Sequence, residues 1–182
     1  MNIQSPLPGL DLSLATDVAR ASQDLRDYPN VTGQTLMRHG RQIGRAGEEL
    51  VASVLRRYGI PVLELEDAPI DRMILLGQDM VGLQIKTITH PDAGGTYRFQ
   101  IRMGCNGSGE GRRGYSPSAF HICALVVLPE NVVRFSASHR QSQRIHPGEI
   151  GGLRRAPLAS LEAALAQFGL TLDGPDADAP TL

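Results

Sequence analysis

Lys86 is the only lysine in a chain of 182 residues; every other fixed positive side-chain charge is an arginine. It stands in VGLQIKTITH (81–90), two residues after Gln84, and Asp71 lies a short hairpin upstream in PIDRMILLGQDM. A carboxylate, an amide and an ammonium in apolar surroundings are costly to bury unless each finds a partner. Two chemistries fit these residue types. Asp71 and Lys86 can form a salt bridge at the end of a sheet, with Gln84 bonded to backbone. Alternatively, Asp71 and Gln84 present hard oxygens to a divalent cation, and Lys86 holds or deprotonates a water beside it. Mg²⁺ suits the second arrangement, because it needs only one or two carboxylates and takes its other ligands from water and phosphate.

The elements that must position these groups are two strands, DRMILL (71–76) and VGLQIKTITH (81–90). Closure about Gly77–Met80, or about Gln78–Asp79, predicts Leu76 opposite Val81, Met73 opposite Gln84 and Asp71 opposite Lys86. Opposed residues share a face, and so do residues two apart, which gathers Asp71, Gln84 and Lys86 on one side. Leu83, Ile85 and Thr87 then fill the other side with Ile74 and Leu76.

Around this hairpin the pattern alternates between helix and strand. GRAGEELVASVLRRYG (44–59) places Leu50, Val51, Val54, Leu55 and Tyr58 on one helical face. PVLEL (61–65) reads as a strand. YRFQIRMG (97–104) reads as one half-buried strand with Arg98, Gln100 and Arg102 outward, followed by a glycine-rich loop carrying Arg112 and Arg113. FHICALVVLP and NVVRFSA are two strands joined by a Pro-Glu turn, and PLASLEAALAQFG is a closing helix. The start of the chain carries an amphipathic helix in DLSLATDVARASQDLRDYPN. The expected organisation is a helical extension over 1–40, one α/β domain over 41–170 and a disordered tail over 171–182.

Net charge is −1, but it is unevenly placed. Arg98 to Arg155 holds nine basic residues against three acids, whereas the residues from Ala156 onward hold four acids and no base. A basic segment of this kind marks either a polyanion surface or a solvated arginine-rich face. No run reaches the roughly 18 apolar residues of a membrane helix, so no membrane partner is expected. Two cysteines make no disulfide framework and point to a reducing cytoplasm. Cys105, His121 and Cys123 lack a fourth ligand at finger-like spacing, so packed side chains are favoured over zinc. GCNGSGEGRRG has no following Gly-Lys-Ser/Thr and is not a P-loop.

The helix GxxGEE, the Pro-x-Asp at the start of the next hairpin and the Gln-x-Lys one strand later resemble the PD-(D/E)XK nuclease superfamily. The closest similarity is to its Holliday-junction-resolvase-like and homing-endonuclease-like members, some of which carry QxK. The resemblance spans roughly Gly44 to Ser136. It implies a restriction-endonuclease-like core, a mixed central β-sheet flanked by helices, and a metal-dependent endonuclease acting on DNA, with RNA not excluded. It matches Glu48 to the helix glutamate, Asp71 to the metal-binding aspartate, Gln84 to the acidic position and Lys86 to its lysine. Glu49 is the rival helix acid. At about 100° per residue, Glu48 lies about 90° from the centre of the apolar stripe and Glu49 nearly opposite it, which favours Glu48.

The implied cofactor is Mg²⁺, or Mn²⁺, held by Asp71, Gln84 and the Ile85 carbonyl, with Glu48 on the metal's water shell or a second ion. Lys86 would position the attacking water. Arg98, Gln100, Arg102, Arg112 and Arg113 are the implied phosphate contacts. The resemblance also implies a homodimer, whose two sites would cut two strands. Gln84 departs from the acidic pattern, since an amide binds metal more weakly than a carboxylate. The alternative function is therefore a nuclease-fold module that binds nucleic acid without efficient cleavage.

Overall fold

The computed structural model describes residues 12–65, 70–103, 113–116 and 118–172. The chain divides into two compact units, Met1–Ile43 and Gly44–Leu182, and the boundary falls within a helix. The first unit holds α1 (Leu12–Asp24) and α2 (Gly33–Arg38). Thr32 caps α2 by accepting the Thr35 N–H at 3.2 Å. At the far end of α2, Arg38 and His39 both reach Asp24, at 3.0 and 2.9 Å.

α3 (Gly40–Arg57) runs into the second unit, where Val51, Ala52, Val54 and Leu55 are buried. Tyr58, expected on that face, is exposed. Each fully buried Val or Leu contributes about 1.5–3 kcal/mol, which is why this face fixes the helix to the sheet. β1 (Val62–Glu64), β2 (Arg72–Leu76) and β3 (Asp79–Ile88) follow as an antiparallel meander. β4 (Tyr97–Gln100), β5 (Arg102–Met103) and β6 (Arg113–Gly114) lie in the crossover to β7 (Ile122–Val127). A 3₁₀ turn over Leu128–Glu130 leads to β8 (Val132–Ser136), and β9 (Ser142–Ile145), α4 (Pro147–Arg155) and α5 (Ala159–Ala166) complete the described chain.

The central sheet has the order β1-β2-β3-β7-β8 and is mixed, as expected: β3 and β7 are parallel, and the other pairs are antiparallel. One of its faces carries Ile74, Leu83, Ile85, Ile122, Ala124 and Val126 against α3 and α5. The other carries Cys123, Leu125 and Val127 beneath Tyr97, Phe99, Ile145 and Ile150. The sheet is therefore sandwiched between two helices on one side and the β4–β9 ribbon with α4 on the other.

Two local expectations are corrected. The β2–β3 loop is Gly77–Gln78, so Leu76 pairs with Asp79, Ile74 with Val81 and Arg72 with Leu83. Gly77, at φ 61, takes the loop position that a type II′ two-residue turn gives to glycine. The register is thus two residues from the expected one, and because two is the side-chain period, every residue keeps its expected face. Second, residues 97–103 do not form one strand: β4 pairs with β9 and β5 with β6, and Ile101 between them bonds Gln141. The polar segment SHRQSQRIH contains β9, and the residues after it form α4.

Candidate functional site

Asp71 lies immediately before β2, and its N–H bonds the Leu83 carbonyl at 3.0 Å. Beyond that point β3 continues without a β2 partner among the described residues. The Asp71 side chain takes over: Oδ2 accepts the Ile85 N–H at 2.6 Å and also the Gln84 side-chain amide. Gln84 is buried, at 5% exposure. In a β-ladder the N–H and C=O of one residue face the same neighbour. The Ile85 carbonyl therefore points toward the same edge as the N–H that Asp71 holds.

Lys86 stands on the same sheet face as Gln84, two residues along β3. It does not pair with Asp71, contrary to the expected opposition: no carboxylate among the described residues lies within ion-pair distance of it. Its Nζ instead donates to the Tyr115 hydroxyl at 3.0 Å and lies 5.2 Å from the centre of that ring.

Glu48 approaches from the α3 side of the sheet, so it does not share a face with the other three. Its link to them is Arg72, a residue that sequence reasoning missed. Arg72 points to the α3 face, where its side chain is 4% exposed. One guanidinium nitrogen donates to the Asp71 carbonyl at 2.8 Å and forms an ion pair with Glu48 at 3.0 Å. The other reaches Glu49 at 3.1 Å and Glu64 at 3.5 Å. Glu49 is largely exposed, as its helical angle predicts, yet it still joins this cluster. The signal for Arg72 was a charge at an apolar-face position of β2 beside a helix carrying two acids.

Close approach of α3 to β3 depends on Gly47. A Cβ there would lie 1.9 Å from Thr87 Oγ1, a separation no real contact tolerates. The glycine of GxxGEE thus lets the helix settle against the strand that carries Gln84 and Lys86, with Glu48 beside the sheet.

Burial raises the Asp71 carboxyl above its ordinary value; the Ile85 N–H, Lys86, Arg72 and Gln84 pull it down by less. Glu48 is also raised, first by burial and next by the Asp71 charge, against Arg72 and Arg45. Two desolvated carboxylates, one of which the other's charge raises further, are an arrangement a cation relieves. The donors fit a hard divalent ion: carboxylate oxygens of Asp71 and Glu48, the Gln84 amide oxygen and the Ile85 carbonyl. Among the described residues no three His, Cys, Asp or Glu side chains cluster as a metal group, and a Mg²⁺ site of this composition does not require it.

Other candidates resolve plainly. His121 accepts the Gly82 N–H at 2.9 Å, which caps the end of β7. Cys123 is buried in register with Gln84, and burial pushes its thiol up to about 12. Cys105 and Arg112 fall outside the described residues. Arg98, Gln100, Arg102 and Arg113 are exposed. Arg98 pairs with Asp92 at 3.3 Å, and Arg102 bonds Gln141 at 3.0 Å. Arg144 is a further exposed arginine, directly opposite Arg98 across β4–β9. Alternation in SQRI, with Gln143 and Ile145 inward, was the available signal. A cleft of about 910 Å³ opens at the hairpin end of the sheet, away from Asp71, with Asp79 the one carboxylate lining it among the described residues.

The chain's fold is similar to that of a bacterial homing endonuclease, I-Ssp6803I, with a TM-score of 0.51 at 14% sequence identity over 58% of this chain and 76% of that one. No family model and no curated protein matches the sequence. The class that the fold defines is thus a mixed α/β domain of a kind seen in a nuclease. No helix among the described residues is long and apolar enough to cross a membrane.

Proposed function

We propose that the chain is a metal-dependent endonuclease that hydrolyses DNA phosphodiester bonds at Asp71, Gln84 and Lys86, with Glu48 in support. The observation that carries this reading is the assembly of Asp71, Gln84 and the Ile85 backbone at the point where β2 begins, with Lys86 two residues beyond Gln84. Fold similarity to a homing endonuclease adds to it. A hard divalent cation such as Mg²⁺, bound there, would polarise the phosphate and lower the pKa of a bound water. Asp71, held by the Ile85 N–H and the Gln84 amide, supplies fixed negative charge. Lys86 meets the phosphate and offsets the negative charge that grows during hydrolysis. Arg72 keeps Glu48 turned toward this edge, and the exposed Arg98, Arg102, Arg113 and Arg144 offer phosphate contacts that set affinity without reading sequence.

A second reading is a nucleic-acid-binding module. It is favoured by one detail: the Asp71 carboxylate already completes the β3 ladder and Arg72 already neutralises Glu48, so both acids have structural partners. Cleavage of supercoiled, linear and branched DNA with Mg²⁺, Mn²⁺ or EDTA, comparing wild type with Lys86→Ala, separates the two. Metal-dependent cleavage that the substitution abolishes supports the nuclease. Salt-dependent binding without cleavage supports the module.

A further inference from the structure

We propose that Tyr115 is a positioning residue of this site, holding the Lys86 ammonium in place for the phosphate; this rests on the reading of Lys86 given above. A lysine side chain has four rotatable bonds and loses much rotamer freedom when fixed. Catalysis gains when that ordering is done by the protein before substrate arrives. At Lys86 no carboxylate among the described residues does it. Tyr115 does, accepting a hydrogen bond at 3.0 Å from Nζ and placing its ring 5.2 Å from the charge.

Tyr115 is itself braced. Its ring meets Phe120 edge to face at 5.2 Å, and Phe120 stacks on His139 at 4.5 Å. His139 Nε2 lies 2.8 Å from the Phe120 carbonyl, which fixes the imidazole to the backbone it stacks against. A row of three rings, two from the segment before β7 and one from the β8–β9 connection, therefore anchors the hydroxyl. A neutral partner leaves the full positive charge of Lys86 available to an incoming phosphate, which an Asp71–Lys86 salt bridge would not. The hydroxyl proton of Tyr115, not needed by the ammonium, is also free to turn toward a phosphate oxygen.

The test uses the fact that Lys86 is the sole lysine. Lysine labelled with ¹³C at Cε gives one side-chain signal, and it reports this ammonium alone. In the full chain, Tyr115→Phe keeps the ring and removes only the hydroxyl. The expected result is a shifted and more mobile Lys86 signal. Where the wild type cleaves DNA, kcat falls about 10-fold, the scale of losing a hydrogen bond to a charged group, with KM for DNA unchanged. In a Lys86→Ala background the same substitution then has no further effect on the residual rate. An unmoved lysine signal overturns the proposal, as does a raised KM at unchanged kcat, which would make Tyr115 a DNA contact. A wild type that cleaves nothing, with a lysine signal that still moves, overturns the nuclease reading and leaves Tyr115 as the group that orders Lys86.

Discussion

Arg72 lies 3.0 Å from Glu48 through the same guanidinium nitrogen that bonds the Asp71 carbonyl. One buried cation thus connects the helix acid to the strand acid across the edge of the sheet. It lets two carboxylates raised by burial coexist.

Removing that cation should free Glu48 and cost stability. Arg72→Met is expected to destabilise the fold by about 1–3 kcal/mol, because Glu48 loses its partner while Glu49 and Glu64 can turn to water. Glu48→Gln should cost less, since Arg72 keeps Glu49. Denaturant midpoints of the two variants check the order; an equal or reversed order would mean Arg72 does not hold Glu48.

Asp71 gives a pH signature. Its carboxyl is raised by burial, so the stability linked to its proton is complete below the ordinary carboxylate range and is lost as pH rises through the raised value. Asp71→Asn keeps an oxygen for the Ile85 and Gln84 donors and removes that loss. In EDTA at neutral pH the variant should melt above wild type, and the gap should close as pH falls below the ordinary carboxylate range. A variant that melts lower at neutral pH would show that the charge itself stabilises the end of the ladder.

Gln84→Glu tests whether position 84 faces a cation. Without metal the new carboxylate removes a donor to Asp71 and adds a like charge beside it, for an expected loss of about 1–3 kcal/mol at neutral pH. With saturating Mg²⁺ or Mn²⁺ the rise in Tm should exceed that of wild type; metal at 100 times its Kd is worth about 2.7 kcal/mol. Equal metal-induced rises in the two proteins would place residue 84 outside the metal site.

Gly47→Ala should destabilise by about 1–3 kcal/mol, since its Cβ would collide with Thr87. In a Thr87→Ala background most of that cost should disappear. Thermal melts of the four proteins form the cycle, and a cost that persists without Thr87 would point to a different obstruction.

The sheet and its faces were legible in the sequence because the apolar run MILL and the alternation in VGLQIKTI mark two strands, and strand faces turn on a period of two. The register was not, because the turn uses Gly77–Gln78 and not a loop centred one residue later. That error preserved the faces of Asp71, Gln84 and Lys86 but exchanged Asp71's partner from Lys86 to Gln84. Arg72 escaped notice because a buried arginine breaks the apolar pattern, and only the helix packed against it shows where its charge is met. Tyr115 lies many residues from Lys86 in sequence, and the crossover alone brings them together. The segment between Ser136 and the closing helix was unreadable for a different reason: β9 has four residues, and Gly151-Gly152 dilutes α4. His-Pro-Gly-Glu before it was still a start signal, with Pro147 opening the helix and Glu149 accepting the His146 N–H at 2.7 Å.

The central claim, that Asp71, Gln84 and Lys86 form a metal-dependent phosphodiesterase site, is tested most directly by nicking of supercoiled DNA in Mg²⁺ by wild type and by folded Lys86→Ala. The account predicts nicked and linear products from wild type, none in EDTA, and a loss of at least about 100-fold in the variant, the lower end of what a positioned catalytic group supplies. Equal nicking by both proteins, or none by the wild type on any DNA, would contradict it.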